Sequence, residues 1–284
     1  MHVHPFFNNL LLHSNNELSE LLGSAIAMRK TIHEWPLSCV QQLVLQDGTK
    51  LIYKTQLPPT VEPLFYQCAT SPLLPKHKLL GKLGHCETMT MEWIEAPLLS
   101  NLAIDETSLV EHGKQVVAQI GVIEGNCPAY LNIGSAQAWL TIAKEILEKL
   151  QQLISDKRFL LVDTGVVEQL HAWANDAAVI DGITVQPRIT HGDLKADQVF
   201  VTEDGYRVID WQRPVMAPPE IDLVSLLVEQ HIDPRPYVPV YIIQLHWFLR
   251  LHWAITAQHD LFPAKRWPLF DQWAKEAIGQ LFAY

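Results

Sequence analysis

His191-Gly192-Asp193-Leu194-Lys195-Ala196-Asp197-Gln198 runs directly into Val199-Phe200-Val201-Thr202, the turn Glu203-Asp204-Gly205, and Tyr206-Arg207-Val208-Ile209-Asp210-Trp211. β-Branched and aromatic residues on both sides of a Gly-containing turn predict a hairpin. Its two ends would present Asp193 and Asp210, seventeen residues apart in sequence, at one edge of a cleft. Phosphoryl transfer needs such a pair of carboxylates. One accepts or orients the proton of the attacking hydroxyl, and the other holds a divalent cation that neutralises the phosphates. Asp193 is the candidate for the first role and Asp210 for the second. Lys195 would add positive charge beside the transferred group.

Upstream of this stretch, Leu18, Leu21, Leu22 and Ala25 share one face of an opening helix. Val40, Leu43 and Leu45 lead through Asp47-Gly48 to Leu51-Ile52-Tyr53-Lys54, a hairpin that places Lys54 at the end of a strand. Pro58 and Pro59 stop the sheet, and Thr60 is expected to cap a short helix with Pro63 in its first turn, carrying Glu62, Leu64, Phe65 and Cys68. A strand from Thr88 to Trp93 runs into Glu95-Ala96-Pro97, a hinge between two lobes. Beyond it the pattern is mostly helical, over Ala138–Leu150, Val166–Trp173, Leu223–Val228, Tyr241–Trp253 and Trp267–Phe282. Val238–Ile255 contains Gln244, His246, Arg250 and His252, so it reads as a buried C-terminal helix and not a membrane span.

The net charge of −10 excludes nucleic acid and anionic membrane as partners, because both demand clustered Lys and Arg. Split after Pro97, the two parts carry −1 and −9, and the acidic second part favours a cationic or polyhydroxylated small molecule. Four widely spaced cysteines, none in a Cys-x-x-Cys pair, suggest reduced thiols in a cytoplasmic protein. The N-terminus lacks a basic n-region and a small-residue cleavage site, so no export is expected. His246 and His252, six apart, miss the spacing of two metal ligands on one helix face. Trp247, Trp253, Trp267 and Trp273 are expected mostly in the core, with one or two available to an acceptor pocket.

Taken together, these residues resemble the aminoglycoside phosphotransferase and choline kinase family, which has a protein-kinase-like fold. His191-Gly192-Asp193, then four residues and the amide Gln198, is similar to the family signature, and His191-x-Asp193-Leu194-Lys195 is similar to a kinase catalytic loop. Ile209-Asp210-Trp211 resembles the metal-binding segment, and Pro219-Glu220-Ile221-Asp222-Leu223 the element whose aspartate braces the loop. The resemblance implies that Lys54 and Glu62 form the ion pair on the α- and β-phosphates. It implies that Met91-Glu92-Trp93-Ile94 meets adenine through backbone groups of Glu92 and Ile94, and that Gln198 and Asp210 are metal ligands. His191 and Asp222 are implied as structural support for the loop.

The implied architecture is α+β and bilobal. Residues 1–94 form a small lobe with an antiparallel sheet, 95–98 the hinge, and 99–284 a mostly helical lobe with the catalytic loop and acceptor site. The implied activity is ATP- and Mg²⁺-dependent transfer of the γ-phosphate to a hydroxyl of an aminoglycoside-, choline- or sugar-like acceptor, by a monomer or homodimer. Two features depart from the family pattern: Gln198 stands where the family has Asn, and Ile32–Cys39 contains no glycine of a phosphate loop. They leave open a second class, a kinase-like protein that binds nucleotide or metabolite as a sensor or scaffold, and more distantly a metal-dependent hydrolase. Protein phosphorylation is disfavoured by the short, proline-stiffened connection from Asp210 to Asp222.

Overall fold

Alternating burial in Ser38–Leu45, where Cys39, Gln41, Leu43 and Leu45 turn inward, marks a strand at work in a half-covered sheet. Residues 1–284, all described by a computed structural model, divide into two units. The first comprises Met1–Ala103, Val122–Tyr130 and Ala196–Pro214; the second comprises Ile104–Gly121, Leu131–Lys195 and Val215–Tyr284. The architecture is α+β, with antiparallel sheet concentrated in the N-terminal part and helices dominating the rest.

The first unit is built on five antiparallel strands, β1 (Ile26–Trp35), β2 (Ser38–Leu45), β3 (Lys50–Gln56), β4 (His77–Leu83) and β5 (Cys86–Glu92), in the order β1-β2-β3-β5-β4. The Asp47-Gly48 turn joins β2 to β3 as expected, with Gly48 at φ 85° and the Asp47 carboxylate accepting the Thr49 N–H. Helix α1 (Asn15–Leu22) starts at a capping box between Ser14 and Glu17 and ends at Gly23, φ 74°. That glycine stops the helix short of Ala25, and the chain turns into β1, a strand the sequence pattern did not announce. Leu18 packs with Leu10, Leu12, Leu43 and Tyr53 in the unit's core.

Helix α2 (Glu62–Cys68) has Pro63 in its first turn, and the Thr60 hydroxyl accepts the Glu62 N–H at 3.2 Å. The expected hairpin forms as β6 (Val199–Thr202) and β7 (Gly205–Val208), with Val199 opposite Val208. It is tied into the first unit by Val201 N–H on the Pro97 carbonyl at 2.9 Å and Val208 N–H on that of Leu73 at 2.8 Å.

The second unit holds helices α3 (Glu106–Ile120), α4 (Ala136–Ser155), α5 (Gly165–Ala174), α6 (Ala177–Thr184), α7 (Glu220–Glu229), α8 (Val240–Thr256) and α9 (Pro268–Leu281). Asp105, Ser135 and Asp176 cap α3, α4 and α6 with their side chains. Trp139 of α4 lies edge-on to Phe248 of α8 at 5.0 Å and donates its indole N–H to the Ala174 carbonyl, so the largest core side chain is both packed and satisfied. Three short strands, unannounced by the sequence pattern, also belong here. Val215–Ala217 pairs in parallel with Leu131–Asn132 and antiparallel with Arg188–Thr190. This small sheet delivers the chain to His191 on one side and to the start of α7 on the other. No helix is long and apolar enough to cross a membrane.

Asp271 pins the end of this unit. Fully buried, it accepts the Leu160 N–H at 2.8 Å and the Leu161 N–H at 3.0 Å, and pairs with Arg266 at 2.6 Å. Asp271→Ala would strand all three donors and is expected to destabilise the protein by about 3 kcal/mol. Gln272→Ala, on the neighbouring exposed position, should stay within about 0.5 kcal/mol. Urea midpoints measure both.

Candidate active site

In the first unit Lys54 points out of β3 into an ion-pair triad. Its Nζ lies 2.6 Å from Glu62 Oε2 and 2.6 Å from Asp210 Oδ1, with Lys54 and Glu62 almost wholly buried and the Asp210 side chain 39% exposed. The Lys54–Glu62 contact is charge on charge without an aligned hydrogen bond. Burial opposes the ammonium, but Asp210 and Glu62 outweigh it and hold the Lys54 pKa above its ordinary value. Burial pushes Glu62 the other way for an acid, upward, against the pull of Lys54 and with the help of Asp210.

Local packing explains why α2 brings Glu62 here. Val61 donates its N–H to the Gln212 carbonyl at 3.2 Å, and the Phe65 ring stacks on Trp211 at 4.4 Å and 9°. Trp211 in turn donates its indole N–H to Val208. Asp210 itself takes a left-handed backbone, φ 74°, a conformation that costs a non-glycine residue energy and that is found at sites under functional constraint.

Ile209 N–H bonds the Gln198 carbonyl at 3.0 Å, so the open end of the hairpin sets the side chains of Gln198 and Asp210 together, with Gln198 Nε2 3.5 Å from Asp210 Oδ2. A carboxylate and an amide are hard oxygen donors suited to Mg²⁺, which takes one or two protein carboxylates and completes its shell with substrate phosphates and water. The residues therefore fit that ion in company with a nucleotide. No group of three or more His, Cys, Asp or Glu side chains is arranged to hold a metal. Of the adenine-contact candidates, Glu92 donates its backbone N–H to Lys76 at 2.8 Å and accepts the Lys76 N–H on its carboxylate, while Trp93 and Ile94 are half-buried.

In the second unit the loop holding Asp193 is braced from α7. Asp222, buried in the first turn, accepts the His191 N–H at 2.7 Å and the Gly192 N–H at 2.9 Å. Gly192 sits at φ 82°, which only glycine adopts without strain. Burial raises the Asp222 pKa to about 6, although His191 and the two backbone donors work against the shift. Lys195 Nζ stands 3.8 Å from Asp193 Oδ2, and Arg250 Nη1 donates to Asp193 Oδ1 at 3.1 Å.

Arg250 is the residue that sequence reasoning missed at this site. Its signal was an arginine within an otherwise apolar helix, three and four residues from Trp247 and His246. Arg250 also lines a cavity of about 730 Å³ within this unit, together with Glu229, His246, Trp247, Trp253, Trp273 and Glu276. Three of the four tryptophans expected mostly in the core thus reach a cavity wall. His246 is held neutral, its pKa lowered to about 3 by burial and by Arg250, with Asp193 opposing.

A lysine clamped to a helix glutamate over an antiparallel sheet, and a His-Gly-Asp loop braced from a helix start, define a phosphotransferase of protein-kinase-like fold. The chain belongs to the phosphotransferase enzyme family (APH), whose model matches residues 56–257. Among solved structures, a spectinomycin phosphotransferase in complex with ADP and spectinomycin is 17% identical at a TM-score of 0.58, covering 96% of this chain and 99% of that one. A choline/ethanolamine kinase family protein from Mesorhizobium loti is 13% identical at 0.62, covering 90% and 87%. A fructosamine-3-kinase assignment from Thermobifida fusca YX-ER1 is 15% identical at 0.55, covering 95% and 98%. At these identities the likeness is one of fold. No curated protein matches the sequence.

Two measurements probe the two clusters, one in each unit. Lys54→Met leaves Glu62 buried without its cation and is expected to destabilise by about 3 kcal/mol, most of it recovered in Lys54→Met/Glu62→Leu; urea unfolding reads both. For Asp222, the folded pKa of about 6 lies above an unfolded value of about 3.9. Between them the folded state keeps a proton that the unfolded chain has lost, so stability from this group is full below that window and declines as pH rises through it. Asp222→Asn lacks this decline, so its stability relative to the parent should rise from pH 4 to pH 7 in urea titrations.

Proposed function

We propose that the protein transfers the γ-phosphate of ATP to a hydroxyl of a small cationic organic acceptor. The observation that carries this reading is the triad: a buried ammonium held at 2.6 Å by both a helix glutamate and Asp210 is the arrangement that grips nucleotide phosphates. The relative solved with ADP and spectinomycin shares the fold and fits the same donor. Acceptor binding is assigned to the second unit's cavity. Its wall combines indole faces, which suit an ammonium group or the apolar face of a ring, with the carboxylates of Glu229 and Glu276.

In the proposed chemistry Lys54, fixed by Glu62, neutralises phosphate oxygens. Asp210 and Gln198 would hold Mg²⁺, which when bound supplies charge neutralisation at the β- and γ-phosphates. The backbone of Glu92 to Ile94 carries the base of the nucleotide, with Trp93 beside it. Asp193 accepts the proton of the acceptor hydroxyl, and Lys195 adds positive charge where the phosphoryl group passes. His191 and Asp222 keep the loop backbone in place. Most of the acceleration comes from orientation and preset charge, since the loose transition state asks for little covalent help. Glu95–Leu98 is proposed as the hinge.

A second reading has one observation in its favour: Gln198 turns its amide nitrogen toward Asp210, which suits a protein that binds nucleotide without turning it over. One experiment separates the two. ADP release from Mg-ATP is followed against a panel of spectinomycin, choline, ethanolamine and a fructosamine, with water alone as the background to be exceeded. Turnover with one of them, lowered about 10²–10⁴-fold by Asp193→Asn while ATP still raises the melting temperature of the variant, is the expected result. Stabilisation by Mg-ATP with no turnover would favour the second reading.

A further inference from the structure

We propose that Arg250 is the positioning residue for Asp193 and ties that carboxylate to the acceptor cavity; the proposal rests on the phosphotransfer reading above. The contacts on Asp193 are unequal. Arg250 Nη1 is at hydrogen-bonding distance from Oδ1, 3.1 Å, whereas Lys195 Nζ lies 3.8 Å from Oδ2, beyond it. The loop backbone is already fixed by Asp222, so what Arg250 adds is the orientation of the side chain.

Arg250 comes from α8, the helix that also gives the cavity His246, Trp247 and Trp253. One helix face therefore shapes the acceptor and aims the carboxylate that receives its proton. The groups that set the charge around Asp193 are Lys195 from the loop, Arg250 and His246 from α8, and Asp222 from α7. His246 stays neutral, which leaves Arg250 as the charged group that α8 contributes.

With Oδ1 engaged by Arg250, the acceptor O–H bond breaks and its proton passes to Oδ2. The acceptor oxygen bonds to the γ-phosphorus as the bond from that phosphorus to the β–γ bridging oxygen breaks. The electron pair of that bond leaves on ADP, and Asp193 returns the proton to solvent.

The test uses the full chain, Mg-ATP and the best acceptor of the panel, with Arg250→Gln, Arg250→Lys and Asp193→Asn. Arg250→Gln should lower kcat about 10–100-fold and leave KM for Mg-ATP and for the acceptor within about twofold. Arg250→Lys should recover part of kcat, as it supplies a donor without the planar fork. Arg250→Gln with unchanged kcat, beside an inactive Asp193→Asn, overturns this proposal alone. A rise confined to the acceptor KM does the same, since it makes Arg250 part of the cavity wall only. An Asp193→Asn variant as active as the parent overturns the base role of Asp193 and this proposal with it, and a parent protein inactive with every acceptor overturns the phosphotransfer reading on which both rest.

Discussion

One ammonium group organises the first unit. Lys54 joins three stretches that are distant in sequence: strand β3, the first turn of α2 and Asp210, two residues past β7. Burial by itself opposes the charges of Lys54 and Glu62, and the arrangement persists because the lysine lies between two carboxylates at contact distance. Of the two carboxylates, Glu62 is wholly buried while Asp210 keeps 39% of its side chain exposed, so the lysine is anchored on one side and open to solvent on the other. In the proposed function that open side is where a nucleotide and its cation would be met.

The two units solve the same problem by different means. In the first, the Asp210 carboxylate is placed by its own left-handed backbone and by ring stacking between Phe65 and Trp211. In the second, the backbone of the loop is placed by paired N–H donors on a buried carboxylate, Asp222, and the side chain of Asp193 by a guanidinium from another helix. Backbone and side chain are thus governed separately, so a change that loosens one need not unfold the other.

The sequence announced those parts whose causes are local. The Asp47-Gly48 turn, the hairpin after Gln198, Pro63 in the first turn of α2 and the amphipathic α4 each follow from residues within one window, and the structure contains them. Strand β1 went unread because it is an edge strand, largely exposed along its length, and shows no alternation. The strands of the second unit have two or three residues, too few to carry any period. Helix α3 was hidden by Gly113, which dilutes the apolar face yet is needed there: a β-carbon would lie 2.9 Å from Leu223 Cδ1 on α7. Family resemblance anticipated the contact of Lys54 with Glu62 and the brace from Asp222, whereas the Arg250 contact links positions 57 residues apart and leaves no local trace.

Helix α8 gives the protein an evolutionary bottleneck. If the proposed function holds, substitutions along its cavity face alter which molecules are accepted and, through Arg250, the aim of the Asp193 carboxylate in the same stroke. Lineages that change their preferred molecule without losing speed would therefore be expected to vary Glu229 on α7 or Trp273 and Glu276 on α9, walls of the same cavity that carry no such second duty.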